Sequence, residues 1–390
     1  MTTGQGALRC LVYAPYSFSG RGPAESCAQI AGGMAAEGVR PYVHAGRLRT
    51  PLPAGVHASA PLAPLGSRIP WRYVDRPAQR MLERQFRRAL DRADPATTVA
   101  WFWPGSPESV VRHAHDRGIV TVREMINSAL ATAGPILDAA YRRLGMPATH
   151  GITDEQIAAE VAELGLYDFA FASNPEVERS LERLGFGPER VLRTTFGWNP
   201  ARFAGAAPIE RTTFRAVFVG RIGVRKGVPD LLEAWAKAAV DGELLLVGAV
   251  DPEIAGLVDR HVGTGRVRLY GYADNPGAVY RGSDLFVFPT LEEGGPQVTY
   301  EAASCGLPVI TTPMGAARLV EQGRTGLVVD AAAPDQLADA LRLLALDDDA
   351  RRAYGAAAQR AAADFTYSAV GARRAHLLEQ ALGRPRAATP

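Results

Sequence analysis

Lysine is nearly missing from this chain of 390 residues. Lys226 and Lys237 are its only lysines, and the rest of its 43 basic residues are arginines. A cofactor bound as a Schiff base, such as pyridoxal phosphate, therefore has only two attachment points. Cysteine is also scarce. Cys10, Cys27 and Cys305 lie far apart, with neither CxxC nor Cys/His ligand spacing, which excludes a structural zinc site and favours a reduced cytoplasm.

Long apolar runs and a strong net charge are absent too. No apolar run approaches the length of a membrane span, and residues 1–6 lack the basic start of a signal peptide. We therefore expect a soluble, cytoplasmic protein. The formal net charge of +2 creates no overall field for nucleic acid, and the 47% hydrophobic content excludes a disordered chain.

Short apolar runs alternate with helix-length segments along most of the chain, clearly in the second half and less cleanly in the first. This alternation indicates parallel sheets covered on both faces, and two sheets suit the length better than one of a dozen strands. The sequence predicts an α/β protein with doubly wound domains over residues 1–200 and 205–367. A last segment, 368–390, is expected to form a helix that packs back on the first domain.

Residues 285–306 read as a buried strand, a loop and the start of a helix near Gln297. Gly294 and Gly295 lie in the loop, and free amides at a helix start next to glycine can bind an anion. Glu293 and Glu301 stand eight residues apart. Because carboxylates accept hydrogen bonds in pairs, each is suited to a vicinal diol of a ribose or hexose.

A second motif follows an earlier strand, where Gly220, Arg221 and Lys226 occupy a tight loop. An arginine fork and a lysine point charge suit a diphosphate whose leaving charge must be stabilised. Each residue alone is better explained as a solvated surface residue. Their occurrence together with the two carboxylates, all after parallel strands of one domain, favours a binding site.

The runs GRIGVRKG (220–227), EEGGPQVTYEAASCGLPVI (292–310) and GRTGLVV (323–329) resemble the retaining glycosyltransferases of family 4. The resemblance is strong over 216–329 and weak over 171–203. It implies the GT-B fold, in which two Rossmann-like domains face each other across a cleft. It also implies transfer of a sugar from a UDP- or GDP-sugar, with retention at the anomeric carbon and without a metal or other cofactor.

The resemblance assigns roles residue by residue. Arg221 and Lys226 would hold the donor diphosphate, Glu293 the transferred sugar and Glu301 the ribose. The resemblance also implies the nucleobase wall and the amides at the helix start, which are Tyr270, Gly271, Tyr272, Gln297 and Val298. The loops themselves predict further donor positions at glycines, where the backbone can approach closely: Gly20, Gly220, Gly294 and Gly295. An ordinary strand–helix turn explains Gly20 about as well. The catalytic set is Arg221, Lys226 and Glu293.

The first domain is predicted to hold the acceptor, which is a small molecule, a glycan or a lipid-linked compound. Relatives often carry histidines at its strand ends, whereas the matching segments here, 100–106 and 120–128, have none. Trp103, Glu124 and Asn127 take those places and are candidates for acceptor contact, as is Gly22 in the loop YSFSGRGPAE (16–25). That loop is not GxGxxG, so NAD binding is not expected.

Three alternatives remain open at this point. A phosphorylase of the same fold would carry pyridoxal phosphate on one of the two lysines. A pseudo-glycosyltransferase would use the donor site for another coupling or for nucleotide binding alone. A scaffold without activity is least favoured, because it gives no reason for the cations and carboxylates to converge. The arginine- and alanine-rich composition suggests a bacterial source of high GC content.

Two charged segments need a separate interpretation. Residues 68–92 contain eight arginines with interleaved apolar residues, a pattern compatible with an anionic membrane surface. We favour a helix that packs its apolar side on the first domain and leaves a solvated face. The acidic run 347–349 is interpreted as a solvated surface feature rather than a metal site.

Overall fold

The computed structural model describes residues 7–61, 71–205 and 207–383. The first seven strands form one sheet in the order β3-β2-β1-β4-β5-β6-β7 with every pair parallel. Its strands are β1 (Arg9–Phe18), β2 (Arg40–Leu48), β3 (His57–Ser59), β4 (Thr98–Phe102), β5 (Val120–Met125), β6 (Phe169–Ala172) and β7 (Val191–Arg193). Its helices are α1 (Gly22–Ala36), α2 (Trp71–Asp91), α3 (Glu108–Asp116), α4 (Leu130–Arg143), α5 (Asp154–Leu164) and α6 (Pro175–Arg183).

The second sheet has the order β10-β9-β8-β11-β12-β13 and is also parallel. Its strands are β8 (Phe214–Val219), β9 (Gly242–Val247), β10 (Val267–Gly271), β11 (Leu285–Phe288), β12 (Val309–Thr311) and β13 (Gly326–Val328). The later helices are α7 (Val228–Ala238), α8 (Ala255–Val262), α9 (Pro276–Arg281), α10 (Gln297–Ser304), α11 (Pro313–Ala316), α12 (Pro334–Leu346), α13 (Asp348–Ala362) and α14 (Tyr367–Leu382). The predicted α/β class with two doubly wound sheets is confirmed.

Strand order reverses once in each sheet, between β1 and β4 in the first and between β8 and β11 in the second. Loops at such a point leave in opposite directions and open a crevice beyond the carboxyl ends of the strands. The two predicted donor motifs follow β8 and β11, so the fold brings them to the same crevice.

The last helix, α14, lies against α1 of the first domain. Gly33 and Gly371 allow this contact, since a Cβ added at Gly33 would lie 2.6 Å from the carbonyl oxygen of Tyr367. The chain crosses between the domains twice at adjacent places, where Trp198 and Tyr367 are joined by a backbone hydrogen bond of 3.0 Å. Residues 384–390 of the predicted last segment lie outside the described ranges.

Glu124 is not an acceptor contact, contrary to the expectation from the sequence. The side chains of Glu124 and Arg374 are both fully buried and form an ion pair, with Nη1 of Arg374 2.6 Å from Oε2 of Glu124. The indole of Trp101 donates to the same oxygen at 2.8 Å, and Arg374 also donates to the carbonyl of Thr195. The reason is the return of α14, which delivers a cation to the end of β5.

Residues 76–92 follow the favoured interpretation. Along α2 the apolar residues Ala78, Leu82, Phe86 and Leu90 are fully buried against the first sheet. Residues 68–70 lie outside the described ranges. Among the helices of the described ranges, none is both long enough and apolar enough to cross a membrane.

Candidate functional site

The loop after β8 is shaped by glycine. Val224–Lys226 form a single 3-10 turn, which ends at Gly227 with a left-handed φ of 66°. A Cβ at Gly227 would lie 1.9 Å from the carbonyl oxygen of Pro289, at the end of β11. No larger residue is accommodated there, and the contact fixes the position of Lys226 relative to the second motif.

Lys226 and Glu293 form an ion pair that joins the two motifs across the crevice. Only 9% of the lysine side chain and 15% of the glutamate side chain are exposed. Burial and the neighbouring charge of Arg225 lower the pKa of Lys226 well below its usual value. The lysine therefore needs an anionic partner to stay protonated, and a diphosphate oxygen near Nζ would compete with Glu293 for that role.

Arg221 points elsewhere in this structure. Its guanidinium pairs with Asp251 in the loop after β9, and 62% of its side chain is exposed. Arg221 and Lys226 thus belong to separate ion pairs, although both stand at the end of β8. Gly220, which precedes them, has a φ of 148° and donates its amide to Val247 at 2.9 Å.

Glu301 lies one turn into α10 and accepts a hydrogen bond of 3.2 Å from the hydroxyl of Tyr280. Burial raises its pKa, whereas the charge of Arg202 and the bond from Tyr280 lower it. Tyr270 and Tyr272 flank Gly271 at the end of β10, with 38% and 63% of their surfaces exposed. This rim is open enough to contact a planar base.

The glycines before α10 serve the domain interface. A Cβ at Gly294 would lie 1.9 Å from the carbonyl oxygen of Ile126, and one at Gly295 equally close to the ring of Phe196. Both contacts are with the first domain, so the close approach expected for a phosphate is made to protein instead. Gly294 also offers its carbonyl to the hydroxyl of Ser173 at 2.7 Å.

The two amides predicted at the helix start differ. The amide of Gln297 donates to the carbonyl of Gly295 at 2.8 Å, so it is already engaged within the loop. Val298 is the second residue of α10, where an amide has no partner within the helix and can bind an anion. The Gln297 side chain bridges the domains instead, since it donates to Ser26 of α1 at 2.7 Å and accepts from Tyr367 of α14 at 2.9 Å.

Glu292 was not among the site residues predicted from the sequence. It is 2% exposed and accepts hydrogen bonds from the amide and hydroxyl of Ser128, at 3.0 and 2.9 Å. Its other oxygen accepts from Arg225 at 3.0 Å. The carboxylate therefore ties the loop before α4 to both predicted donor motifs. Because Glu292 and Glu293 are adjacent in the sequence, nothing in the motif indicates which of them faces the first domain.

A cavity of about 430 Å³ lies between α4 and the second domain. Asn127, a predicted acceptor residue, and Arg221, a predicted donor residue, both line it, together with Glu292. Its first-domain wall includes Leu137 of α4, and the opposite wall is charged. The structure thus brings one acceptor candidate and one donor candidate to the same space.

The other first-domain candidates are placed differently. Trp103 is fully buried between Tyr16 and Phe196, so its expected contact with an acceptor is corrected. Gly20 and Gly22 have left-handed φ values of 77° and 65° in the turn that opens α1. Between them, the guanidinium of Arg21 lies 5.1 Å from the ring centre of Tyr272, across the cleft.

Metal ligands do not cluster in the part of the chain described here, where no three His, Cys, Asp or Glu side chains are grouped to hold an ion. The acidic residues 347–349 lie at the start of α13, where Asp348 and Asp349 pair with nearby arginines. Lys237 is exposed and paired with Glu233 and Asp335.

Comparison with known families and sequences gives a consistent result. Residues 213–347 match the family described as glycosyl transferases group 1. A D-inositol 3-phosphate glycosyltransferase of Corynebacterium jeikeium is 34% identical over 167 residues, which are 39% of this chain and 40% of that protein. The capsular polysaccharide glycosyltransferase CapM of Staphylococcus aureus is 30% identical over 35% of this chain and 38% of its own. The matches thus span less than half of these relatives.

Solved structures match nearly the whole chain. Sucrose-phosphate synthase from Thermosynechococcus elongatus superposes with a TM-score of 0.71 at 19% identity, covering 96% of this chain and 99% of its own. Anabaena HepE, solved with UDP and glucose, gives a TM-score of 0.69 at 15% identity over 95% of this chain and 99% of its own. At these identities the likeness concerns the fold. The chain therefore has the GT-B fold, and its residues 213–347 match the glycosyl transferases group 1 family.

Proposed function

We propose that the protein is a glycosyltransferase that moves a sugar from a nucleoside diphosphate sugar, with UDP or GDP as the nucleotide, to an acceptor hydroxyl. The observation that carries the proposal is the buried Lys226–Glu293 pair at the strand-order reversal of the group 1 domain. A cation for the diphosphate and a carboxylate for the sugar hydroxyls stand there within contact of each other. The relatives with similar sequences are named as glycosyltransferases, and HepE was solved with UDP and glucose, which supports this choice of donor.

The residues divide the work as follows. Lys226 binds a diphosphate oxygen and stabilises the charge that develops as the bond from the anomeric carbon to the phosphate oxygen breaks. Arg221 reaches the same group after exchanging Asp251 for it. Glu293 accepts hydrogen bonds from the sugar, and Glu301 accepts them from the ribose. Val298 supplies an amide to the distal phosphate.

Retention is part of the proposal and rests on the resemblance to family 4. The acceptor hydroxyl attacks the anomeric carbon from the side that the diphosphate leaves. Its proton passes to the departing phosphate oxygen, so no carboxylate nucleophile is required. The acceptor enters from the first domain, and Asn127 faces the interdomain cavity where it would bind.

A metal-independent reaction in the cytoplasm is likewise proposed. Lys226 and Arg221 supply the positive charge that a divalent ion provides in other transferases. The three cysteines are all free, as expected in a reducing compartment. Chelation with EDTA should leave turnover unchanged. Loss of turnover with EDTA, restored by Mg²⁺ or Mn²⁺, would contradict this part.

The decisive experiment is calorimetric titration of the full chain with UDP, GDP, ADP and dTDP without metal. We expect selective binding of one nucleotide, weakened at least about tenfold in Glu301→Ala, which corresponds to the loss of one charge-assisted hydrogen bond. The matched control is Glu321→Ala, an exposed glutamate in an ion pair with Arg324. No binding of any nucleotide by folded protein would refute the donor site.

A second measurement separates transfer from nucleotide binding alone. Once the preferred nucleotide is known, the protein should slowly hydrolyse the sugar donor that carries this nucleotide when no acceptor is present. The variant Glu293→Gln should abolish this hydrolysis. Binding without any hydrolysis, at high enzyme concentration, would favour a pseudo-glycosyltransferase instead.

A further inference from the structure

The exposed face of α2 carries four arginines at four-residue spacing: Arg76, Arg80, Arg84 and Arg88. Four residues of an α-helix advance the direction of a side chain by about 40° beyond a full turn, so the four lie within about 120° of the circumference. They extend over about 18 Å of the helix axis. We propose that this row, the arginine ridge, docks the protein on the surface of an anionic lipid bilayer.

None of the acidic side chains that the structure describes neutralises the ridge. Within the described ranges, none of its four arginines has a carboxylate partner. Two acidic residues of α2 with described side chains, Asp91 and Glu83, are directed elsewhere. Asp91 is bonded to His113 of α3 and lies 3.7 Å from Arg117, which follows that helix. Burial raises the pKa of the Tyr13 hydroxyl in the core, and the nearby charge of the half-buried Glu83 raises it further. Four guanidinium groups therefore face solvent uncompensated.

The ridge is rigid and cannot insert as an amphipathic helix would. The opposite face of α2 is occupied, because Leu82, Phe86 and Leu90 are fully buried in the first domain. The exposed side adds Met81, of which 38% is exposed, beside the row of charge. Binding should therefore be electrostatic, reversible and sensitive to salt, with only a small apolar contribution.

The position of α2 relates the ridge to the cleft. α2 connects β3 to β4, and these strands run parallel in one sheet. The helix must therefore run antiparallel to them, with its first turn at the carboxyl edge of the sheet, where the cleft lies. A bilayer lying along the ridge would meet the protein near the entrance to the first-domain side of the cleft.

A lipid surface suits the ridge better than a soluble polyanion. The arginines lie on the convex outer side of one helix, within about 120° of its circumference, so a flat array of phosphodiester groups can approach all four from the same side. A guanidinium binds such groups in a planar fork. The formal net charge of +2 gives no long-range attraction to nucleic acid. The contact is thus local and short-ranged.

The test is co-sedimentation of the full chain with vesicles of phosphatidylcholine alone and of phosphatidylcholine with one quarter phosphatidylglycerol. We expect binding only to the anionic vesicles, with each arginine contributing up to about fivefold in the partition coefficient at low salt. The variant R76Q/R80Q/R84Q/R88Q should lose at least about tenfold. Raising the salt concentration to 0.5 M should release the wild-type protein.

The matched control is R260Q/R324Q/R352Q/R360Q, which removes four exposed arginines from outside the first domain and has the same net charge. It should bind anionic vesicles as the wild type does, and circular dichroism should show that both variants are folded. Equal loss in the control, equal binding to neutral vesicles, or ridge-dependent binding of heparin but not of vesicles would each overturn the proposal. None of these measurements depends on sugar transfer.

Discussion

At the scale of single residues, the candidate site is organised by which charge each side chain meets. Lys226 meets Glu293, Arg221 meets Asp251, and Arg225 meets Glu292. Three cations of one loop are thus held by three carboxylates from loops after other strands. Charge pairs of this kind are set by the fold, and the order of residues in the motif does not reveal them.

Exchange of Lys226 for Gln should lower kcat by about 10²- to 10³-fold, because one preorganised donor to the departing charge is lost. The same loss is expected for Glu293→Gln. The control is Lys237→Gln, since Lys237 is the only other lysine and lies in an exposed ion pair. Steady-state kinetics with the preferred donor measure the effect. A kcat for Lys226→Gln within threefold of the control would show that Lys226 does not act on the leaving group.

The pH dependence of nucleotide binding should follow Glu301. Burial raises the pKa of this carboxyl, so it takes up a proton at higher pH than the usual value of about 4.3. Protonation weakens its hydrogen bonds from the ribose, and affinity should fall as the pH drops through the raised pKa. Calorimetry between pH 8 and 4.5 measures this. Glu301→Gln should bind weakly with a flatter profile; an unchanged slope would assign the titration to another group.

At the scale of elements, the sequence predicted the strand and helix alternation correctly, and the two motifs predicted to bind the donor follow β8 and β11. Strands that are buried over most or all of their length, such as β8 and β11, read as apolar runs, and the loops after them carry the glycines and charges. Partners from distant elements were not predictable. Glu124 looked like a free carboxylate at a strand end, and only the return of α14 with Arg374 explains its burial. The burial of Trp103 was not predictable either, because the rings that pack against it, Tyr16 and Phe196, are distant in the sequence.

The turn before α7 provides an element-scale prediction. Gly227→Ala should lower the free energy of unfolding by more than the roughly 1 kcal/mol expected for alanine at a positive φ, because its Cβ would also clash with the carbonyl of Pro289. Displacement of the turn should lower kcat as well. Gly265→Ala is the control, since Gly265 has a φ of 77° and open space around a Cβ. Thermal unfolding and steady-state kinetics should show a larger loss of stability and of kcat for Gly227→Ala than for Gly265→Ala. Equal losses in the two variants would mean that the turn can shift to accommodate the added Cβ.

At the scale of the whole molecule, the domains are held by contacts on several sides of the cleft. Glu292 bonds Ser128, Gln297 bonds Ser26, and Arg143 of α4 pairs with Asp230 of the second domain. The structure is a closed arrangement in which the donor motifs touch the first domain directly. Opening for substrate entry must break these polar contacts, each of which has water as an alternative partner.

The buried Glu124–Arg374 pair should be a large single contribution to stability. Arg374→Met leaves an uncompensated carboxylate in the core and should cost about 3–5 kcal/mol. The double variant Glu124→Leu/Arg374→Met removes both charges and should recover most of the loss. Urea unfolding followed by tryptophan fluorescence measures both. If the double variant is no more stable than Arg374→Met, the pair matters through packing rather than charge.

The packing of α14 on α1 also sets an order of events during synthesis. α1 is made early, whereas α14 is translated after every strand of both sheets, on the order of tens of seconds later at usual elongation rates. Until then the side of α1 around Gly33 is not covered by α14, and the carboxylate of Glu124 lacks its partner Arg374. The domain that is begun first is therefore completed last, and a nascent chain stalled before residue 367 should be a substrate for chaperones.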